Sequence, residues 1–273
     1  MKNLYKILCL AFPLITATSS FAQVVIEEEE ETETVKVKKA CKANFFNSKI
    51  QYQIKGQLSL GGASPLGMPA EIRKIEDFQP RNVLGLEVNA TKWINARNTL
   101  GIRVGLKFEG RGMYTQALVK NYYTQIADES GAGTKGYFTG HVITEVRNTY
   151  LTMPVLLYWK ASETWNFYGG LYFSALMGKS FDGHIYDGTF REGTPIGELA
   201  TFEGTAYGLY DFSDELSGFQ WGSQLGTEIK VYKKLRLSLD VTFANNQIFK
   251  KDFEAISFKM HNIFGNLGIA YTF

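Results

Sequence analysis

Hydrophobic and polar side chains alternate with a period of two along most of the chain after residue 50. This is the period of a β-strand whose two faces meet different surroundings, because successive side chains point to opposite sides. Eight segments with this pattern are separated by connections that lack it. We predict strands at 51–62, 82–93, 99–110, 148–160, 165–178, 218–232, 234–245 and 261–273.

One face of these strands is apolar over most of its length. In strand 99–110, for example, Ile102, Val104 and Leu106 lie on this face. Only Lys92, at the end of strand 82–93, is a charged position on it, although 21% of the whole chain is Asp, Glu, Lys or Arg. Such a face must either form a protein core, as in a soluble barrel of the lipocalin type, or face lipid, as in a membrane barrel.

The opposite face is polar and carries charges of both signs. In a membrane barrel this face fills the interior, and eight strands enclose only enough space for side chains. Charges that nearly balance can then pair and leave no wide pore. The predicted interior network consists of Lys55, Glu87, Arg103, Lys107, Glu109, Glu228, Lys230, Arg236 and Asp240.

The connections between the strands alternate between short and long. The short ones are 94–98, 161–164 and residue 233, and the long ones are 63–81, 111–147, 179–217 and 246–260. Membrane barrels have this asymmetry, with short periplasmic turns and long extracellular loops. The sequence therefore favours an all-β, eight-stranded antiparallel transmembrane β-barrel in the outer membrane. A ten-stranded barrel is the alternative, with one more hairpin in the third long connection.

Strand 148–160 has two features of its own. Pro154 cannot donate a hydrogen bond to a neighbouring strand, so we expect a kink or a bulge there. Trp159 and Trp165 flank the short turn that follows, and we expect them in the aromatic girdle at the periplasmic surface of the membrane.

The first 50 residues differ from the rest of the chain. Lys2 and Lys6 precede an apolar run that ends in small residues, which predicts a signal peptide over residues 1–22. Residues 23–50 are rich in Glu and then in Lys, as expected for a disordered periplasmic tail. Without the signal peptide, 27 basic side chains balance 27 acidic ones, so no positive field favours a nucleic acid.

Four segments carry a further pattern, namely Tyr150–Tyr158, Tyr168–Tyr172, Trp221–Glu228 and Asn266–Phe273. They resemble the PorT-related family of outer-membrane β-barrels. The resemblance implies a barrel over residues 51–273 and allows a role as a subunit of a secretion or transport assembly. It also implies that the terminal Phe273 is a signal for the barrel-assembly machinery. These motifs mark a structure and not a reaction.

Candidate catalytic and metal sites are weak. Gly131–Gly136 has the GxGxxG spacing of a dinucleotide site, but it lies in a long connection without the parallel strand and helix that such a site needs. His141, His184 and His261 are far apart in sequence and give no zinc motif. None of them neighbours a serine in the way a hydrolase requires. We predict no cofactor, no metal and no enzyme.

The third long connection is the most acidic of the outer segments. Its eight acidic residues are Asp182, Asp187, Glu192, Glu198, Glu203, Asp211, Asp214 and Glu215. They could hold divalent cations that bridge to lipopolysaccharide, or they could bind a ligand; simple solvation explains them equally well. We expect the aromatic residues among them to extend the strands 165–178 and 218–232 above the membrane.

The sequence thus predicts a non-enzymatic barrel whose outer loops contact ligands, lipopolysaccharide or other surfaces. Its partners would be outer-membrane lipid and the barrel-assembly machinery, with no nucleic acid. One alternative is a transport subunit that binds a periplasmic or surface protein, with the tail at 23–50 as the docking segment. A lipid-modifying enzyme is the less favoured alternative.

Overall fold

The computed structural model describes residues 50–81, 83–127 and 133–273. The predicted signal peptide and, apart from Ile50, the predicted tail lie outside the described residues. The described residues form eleven strands and one short 3-10 helix at Ser213–Glu215. The strands are β1 (Ile50–Pro65), β2 (Ile72–Arg81), β3 (Leu84–Trp93), β4 (Leu100–Ala127), β5 (Gly133–Lys160), β6 (Trp165–Gly178), β7 (Phe181–Glu192), β8 (Leu199–Asp211), β9 (Phe219–Tyr232), β10 (Leu235–Ala244) and β11 (Met260–Thr272).

Eight of these strands close into an antiparallel ring. Their order is β1-β3-β4-β5-β6-β9-β10-β11, and β11 pairs with β1 to complete the circle. Each predicted strand corresponds to one strand of this ring, so the eight-stranded barrel is confirmed. The short turns 94–99, 161–164 and 233–234 lie together at one end, which we call the turn end. The terminal Phe273 also lies there, where its backbone nitrogen donates to the Tyr52 carbonyl at 3.0 Å.

The opposite end continues well beyond the ring. β4 and β5 have 28 residues each, twice the 14 of β6, and they pair almost to their tips. β2 pairs with the distal half of β4, β7 pairs with the distal half of β5, and β8 pairs with β7. We call this five-stranded sheet the extension. It consists of β2, β7, β8 and residues 111–127 and 133–147.

The extension corrects two expectations. The connection 179–217 does hold a hairpin, β7 and β8, but this hairpin lies outside the ring, so the ten-stranded barrel is wrong. Aromatic residues such as Tyr186 and Tyr207 belong to that hairpin and do not extend the strands on either side. β6 pairs with β5 only up to Thr149, and β7 takes over at Val146, which satisfies backbone groups that β6 leaves free.

Pro154 does not produce the predicted bulge. It stays opposite Tyr172 of β6 in unbroken register, and the pairing with β4 passes from Val155 to Thr152 without a shift. Gly105 lies in β4 at this level, and a Cβ atom there would lie 3.1 Å from the proline ring. The missing side chain leaves room for the ring, so the ladder loses a hydrogen bond and keeps its register.

Burial separates the two faces of the ring. Outward side chains such as Leu86, Phe108 and Leu239 are 55%, 58% and 56% exposed, whereas the side chains that alternate with them are buried. A continuous exposed apolar band of this kind is the lipid-facing surface of a membrane barrel. In the part of the chain that the structure describes, no helix has the length and apolar character needed to span a membrane.

A second, apolar core lies on the inner face of the extension. Side chains from β4, β5 and β7 pack there against the connection 245–259, and the Phe181 and Phe249 rings lie 5.0 Å apart. This last long connection therefore folds back on to the extension. The buried members include Met113, Val119, Phe138, Val142, Phe181, Ile185, Ile248, Phe249 and Ile256.

The lipid-facing surface predicts a difference between two valine-to-arginine substitutions. Val104 lies midway along its strand in the ring and Val231 lies beside the turn end. We expect Val104→Arg to lower the free energy of unfolding by about 2–4 kcal/mol, and the matched control Val231→Arg by about 0–1 kcal/mol. Denaturant unfolding in lipid vesicles measures both. Equal losses at the two sites would contradict the assignment of this face to lipid.

Candidate functional site

Buried charged side chains occupy the interior of the ring in two groups. In the first group, Lys55 Nζ lies 2.8 Å from Glu87 Oε2 and 3.5 Å from Asp240 Oδ2. Arg103 makes an ion pair with Glu228 in the same group. Each of these five residues is at most 4% exposed. The group contains two cations and three anions, so it carries one uncompensated negative charge.

The second group lies nearer the extension and centres on the carboxylate of Glu109. Lys107 Nζ lies 2.9 Å from Glu109 Oε2, and Arg111 Nη2 donates to Oε1 at 2.8 Å. The Thr152 hydroxyl donates to Oε1 as well, at 2.7 Å. All four side chains are buried. Two cations share one anion here, so this group carries one uncompensated positive charge.

Aromatic rings surround the second group. The guanidinium carbon of Arg111 lies 5.3 Å, 5.0 Å and 5.7 Å from the ring centres of Tyr150, Tyr172 and Phe264. The negative face of an aromatic ring attracts a cation at such distances, and more strongly where water is excluded. The rings therefore help to compensate Arg111 for the loss of water.

Tyrosines hold the first group in place. Tyr158 donates its hydroxyl hydrogen to Glu228 at 2.8 Å, and Tyr168 donates to Asp240 at 2.9 Å. Both tyrosine side chains are buried inside the barrel. The two tyrosines were not predicted to lie inside because tyrosine counts as an aromatic residue, although their even positions place them on the polar face of β5 and β6.

The structure brings together seven of the nine predicted interior residues in these two groups, and the other two lie at the turn end. Lys230 is exposed, because it lies near the end of β9, where a long side chain reaches water. Arg236 is half-buried at the same end, where it lines a small pocket together with Tyr158 and Asn166. Arg111 was missed because the predicted strand ended at 110, although it continues the odd-numbered series of Lys107 and Glu109.

The three histidines lie on different strands. His141 Nδ1 lies 2.9 Å from Glu76 on the outer face of the extension, and its ring stacks on Tyr186 at 5.3 Å. His184 lies beside the same tyrosine, and His261 Nδ1 lies 2.9 Å from the carbonyl of residue 244. Partial burial and the negative Glu76 raise the pKa of Tyr186. Among the residues in view, no three potential ligands converge to hold a metal ion.

The glycine-rich segment does not form a nucleotide site in the part that is described. Residues 133–136 begin β5, which runs antiparallel to β4 and is followed by no helix. The predicted acidic residues of the third long connection are spread along β7, β8 and the short helix after them. Glu198 lies in the turn between β7 and β8, and the two residues of the short helix lie outside the extension.

A cavity of about 410 Å³ lies at the junction of the ring and the extension. Its walls come from the ends of β1 and β11, from β2, and from the inner face of β4 and β5. The lining is apolar and contains no charged side chain among the residues that surround it. Thr115 Oγ1 is a buried polar atom in this wall with no hydrogen-bond partner in the structure.

The shared carboxylate predicts a large effect of one substitution. Glu109→Gln leaves Lys107 and Arg111 buried without an anion, so we expect the free energy of unfolding to fall by about 3–5 kcal/mol. The matched control is Glu145→Gln, which removes an exposed partner of Arg147 and should cost less than about 1 kcal/mol. Unfolding in denaturant measures both. A similar small cost for the two variants would disprove the role of Glu109.

Three solved structures illustrate what the chain is similar to. Among solved structures, the chain aligns with Ail, the attachment invasion locus protein of Yersinia pestis, at 11% identity and a TM-score of 0.32; the alignment covers 82% of this chain and 97% of that one. Neisserial surface protein A aligns at 12% identity over 82% and 97%, with a TM-score of 0.30. The toluene transporter TodX of Pseudomonas putida aligns at 7% identity over 85% and 91%, with a TM-score of 0.22.

These TM-scores are low. No curated protein matches the sequence significantly. A family model described as the outer membrane protein beta-barrel domain matches residues 21–250, which is most of the chain. Together with the closed ring and its apolar outer face, this match shows that the chain lies in the cell outer membrane and belongs to the outer membrane protein β-barrel domain family.

Proposed function

We propose that this protein is a non-enzymatic outer-membrane barrel with a closed interior, whose extension contacts ligands or surfaces outside the cell. One observation carries the proposal: buried side chains fill the ring, while a folded sheet of five strands continues beyond it. The part of the molecule built to meet other molecules is then the extension and not the lumen.

The interior charges support a closed barrel. Four buried cations and four buried anions occupy the ring and the level just above it, so the two groups together are neutral. A water-filled channel would leave such side chains solvated, whereas here Lys107 and Glu228 are fully buried. Tyrosine rings occupy the space between the ion pairs. An eight-stranded ring has little room for a channel in addition to these side chains.

The position of the extension supports contact with the exterior. Outer-membrane barrels have short turns on the periplasmic side and long connections on the extracellular side. By that rule the extension stands outside the cell, next to the lipopolysaccharide of the outer leaflet. Its acidic hairpin of β7 and β8 could meet lipopolysaccharide through bridging divalent cations. Glu76, His141 and Tyr186 add a polar and aromatic surface on the outer face.

A second candidate is a subunit of a secretion or transport assembly. The segments that resemble the PorT-related family favour it, and all of them lie in ring strands. In that case the tail at 23–50 would bind a periplasmic partner, and Phe273, 68% exposed at the turn end, would have served the barrel-assembly machinery. A partner that co-purifies with the full chain, but not after deletion of residues 24–49, would favour this role. If the protein were instead an enzyme that modifies lipid, cells that lack it would have a different lipid profile from cells that contain it.

The closed interior predicts that the protein reconstituted in a planar bilayer shows no steady conductance. The double substitution Arg103→Ala and Glu228→Ala keeps the interior charge unchanged and opens space in the first group, so it should show brief openings. Single-channel recording measures both proteins. Steady conductance of the unaltered barrel would overturn the proposal of a closed interior.

The placement of the extension predicts where an added protease site is accessible. A site inserted after Thr194, in the exposed turn between β7 and β8, should be cut in intact cells while the barrel keeps its heat-dependent gel mobility. The matched control carries the same site in the turn 161–164. This control should be cut only after the outer membrane is made permeable. The reverse pattern would place the extension in the periplasm.

A further inference from the structure

The apolar cavity at the junction of ring and extension lies behind an interruption in the barrel wall. β1 pairs with β3 as far as Leu58 opposite Leu84, and the last bond runs from the Ser59 nitrogen to the Val83 carbonyl at 2.7 Å. Beyond this point β1 pairs only with β11, and β2 pairs only with β4. In residues 50–81 and 83–127, no backbone hydrogen bond joins β1 to β2. We call this interruption the seam.

The cavity reaches the seam from inside. Ser64 and Pro65 of β1 line the cavity on one side, and Ile75 and Phe78 of β2 line it on the other. A molecule that passes between these two strands would therefore enter the cavity directly. Strands elsewhere in the ring are hydrogen-bonded to both neighbours, which closes the wall to such a route.

The surface around the seam is apolar and exposed. Leu60 at the upper limit of the lipid-facing band is 49% exposed, and Leu66 and Met68 beside the seam are 60% and 64% exposed. Ile75 and Phe78 are 48% and 46% exposed across from them. An exposed apolar patch of this kind marks a binding or membrane-contact surface. Here it adjoins the lipid-facing band at Leu60, while the charged side chains of β2, such as Arg73 and Arg81, alternate with Ile75 and Phe78 along that strand.

The lining indicates the chemistry of the occupant. It offers no charge to an ionic group, and its volume of about 410 Å³ is in the range of small-molecule sites. Met68, Met113 and Met260 contribute flexible side chains that adapt to an irregular chain. Thr115 Oγ1 is free to hydrogen-bond one oxygen atom of an ester, carboxyl or hydroxyl group. These features fit a hydrocarbon chain with few polar atoms.

We propose that the cavity binds one alkyl chain, of a membrane lipid or of a free fatty acid, which enters sideways through the seam. The proposal deepens the proposed function and rests on it, because the seam meets the outer leaflet only if the extension is extracellular. The alkyl chain would fill the cavity and make van der Waals contacts with the apolar side chains that line it. Its polar end would remain at the seam, near the level of the lipid headgroups.

Equilibrium binding of radiolabelled palmitate to the full chain tests the proposal. The protein is held in a steroid-based detergent, which has no alkyl chain to compete. We expect one saturable site per barrel. Ala117→Trp fills the cavity from β4 and should weaken binding by at least about tenfold. The matched control Ala175→Trp adds the same side chain on the lipid-facing side of β6 and should leave binding unchanged.

A second variant protects the test against misfolding. Phe78→Asp places a charge at the seam, on a side chain that is 46% exposed, and should also weaken binding. A folded membrane barrel migrates differently on a gel before and after boiling, so this difference in mobility shows whether each variant is folded. Absence of a saturable site in the unaltered protein, or equal binding by folded Ala117→Trp and Ala175→Trp, would refute the proposal.

The source of the alkyl chain is decided by what the protein carries from the membrane. Lipid extracted in a one-to-one ratio from barrels purified in the same detergent, and displaced by palmitate, would identify a membrane lipid. Binding of added palmitate alone would identify a free fatty acid. Loss of palmitate binding leaves the protease pattern of the β7–β8 turn unaffected, so the failure of this inference is distinct from a failure of the proposed function.

Discussion

The pairing of buried charges inside the ring is the interaction on which the rest of the structure depends. A closed ring in a membrane has only two faces, and lipid excludes charge from the outer one. A charged side chain at the middle of the membrane must therefore point inward, where no bulk water is present. The eight buried charges satisfy this constraint only together, because the first group has one excess anion and the second has one excess cation. The net charge is therefore zero for the interior as a whole, although it is not zero for either group.

This constraint explains which parts of the fold could be predicted from sequence. The outward positions of β1 and β10 keep one parity without a single charge, so the strands and their number follow from period two. The alternation of short and long connections then distinguishes a membrane barrel from a soluble one. Lys55, Glu87 and Asp240 could be placed inside by the same parity. Their pairing with one another needed the register between β1, β3, β10 and β11, which no single strand reveals.

The extension escaped prediction because the surroundings of the strands change along their length. In β4 the inward positions are charged as far as Arg111 and then become apolar at Met113 and Val119. The outward positions change in the opposite sense, from Phe108 to Gln116. Outside the membrane the sheet faces water, so the alternation inverts. The prediction assumed that one face of the strand stays apolar along its whole length. The apolar and polar faces exchange beyond residue 110, so the predicted strand stopped there.

The same inversion accounts for the position of the cavity. Below the level of Arg111 the interior is filled by ion pairs, and above the level of Met113 it is an apolar core covered by the connection 245–259. The barrel wall loses its β1–β3 pairing at the same height, beyond Leu58. An apolar interior thus meets an interrupted wall at the upper limit of the lipid-facing band. The closed interior that we propose beneath it would give whatever enters there no path onward through the ring, which is the geometry of a binding site and not of a channel.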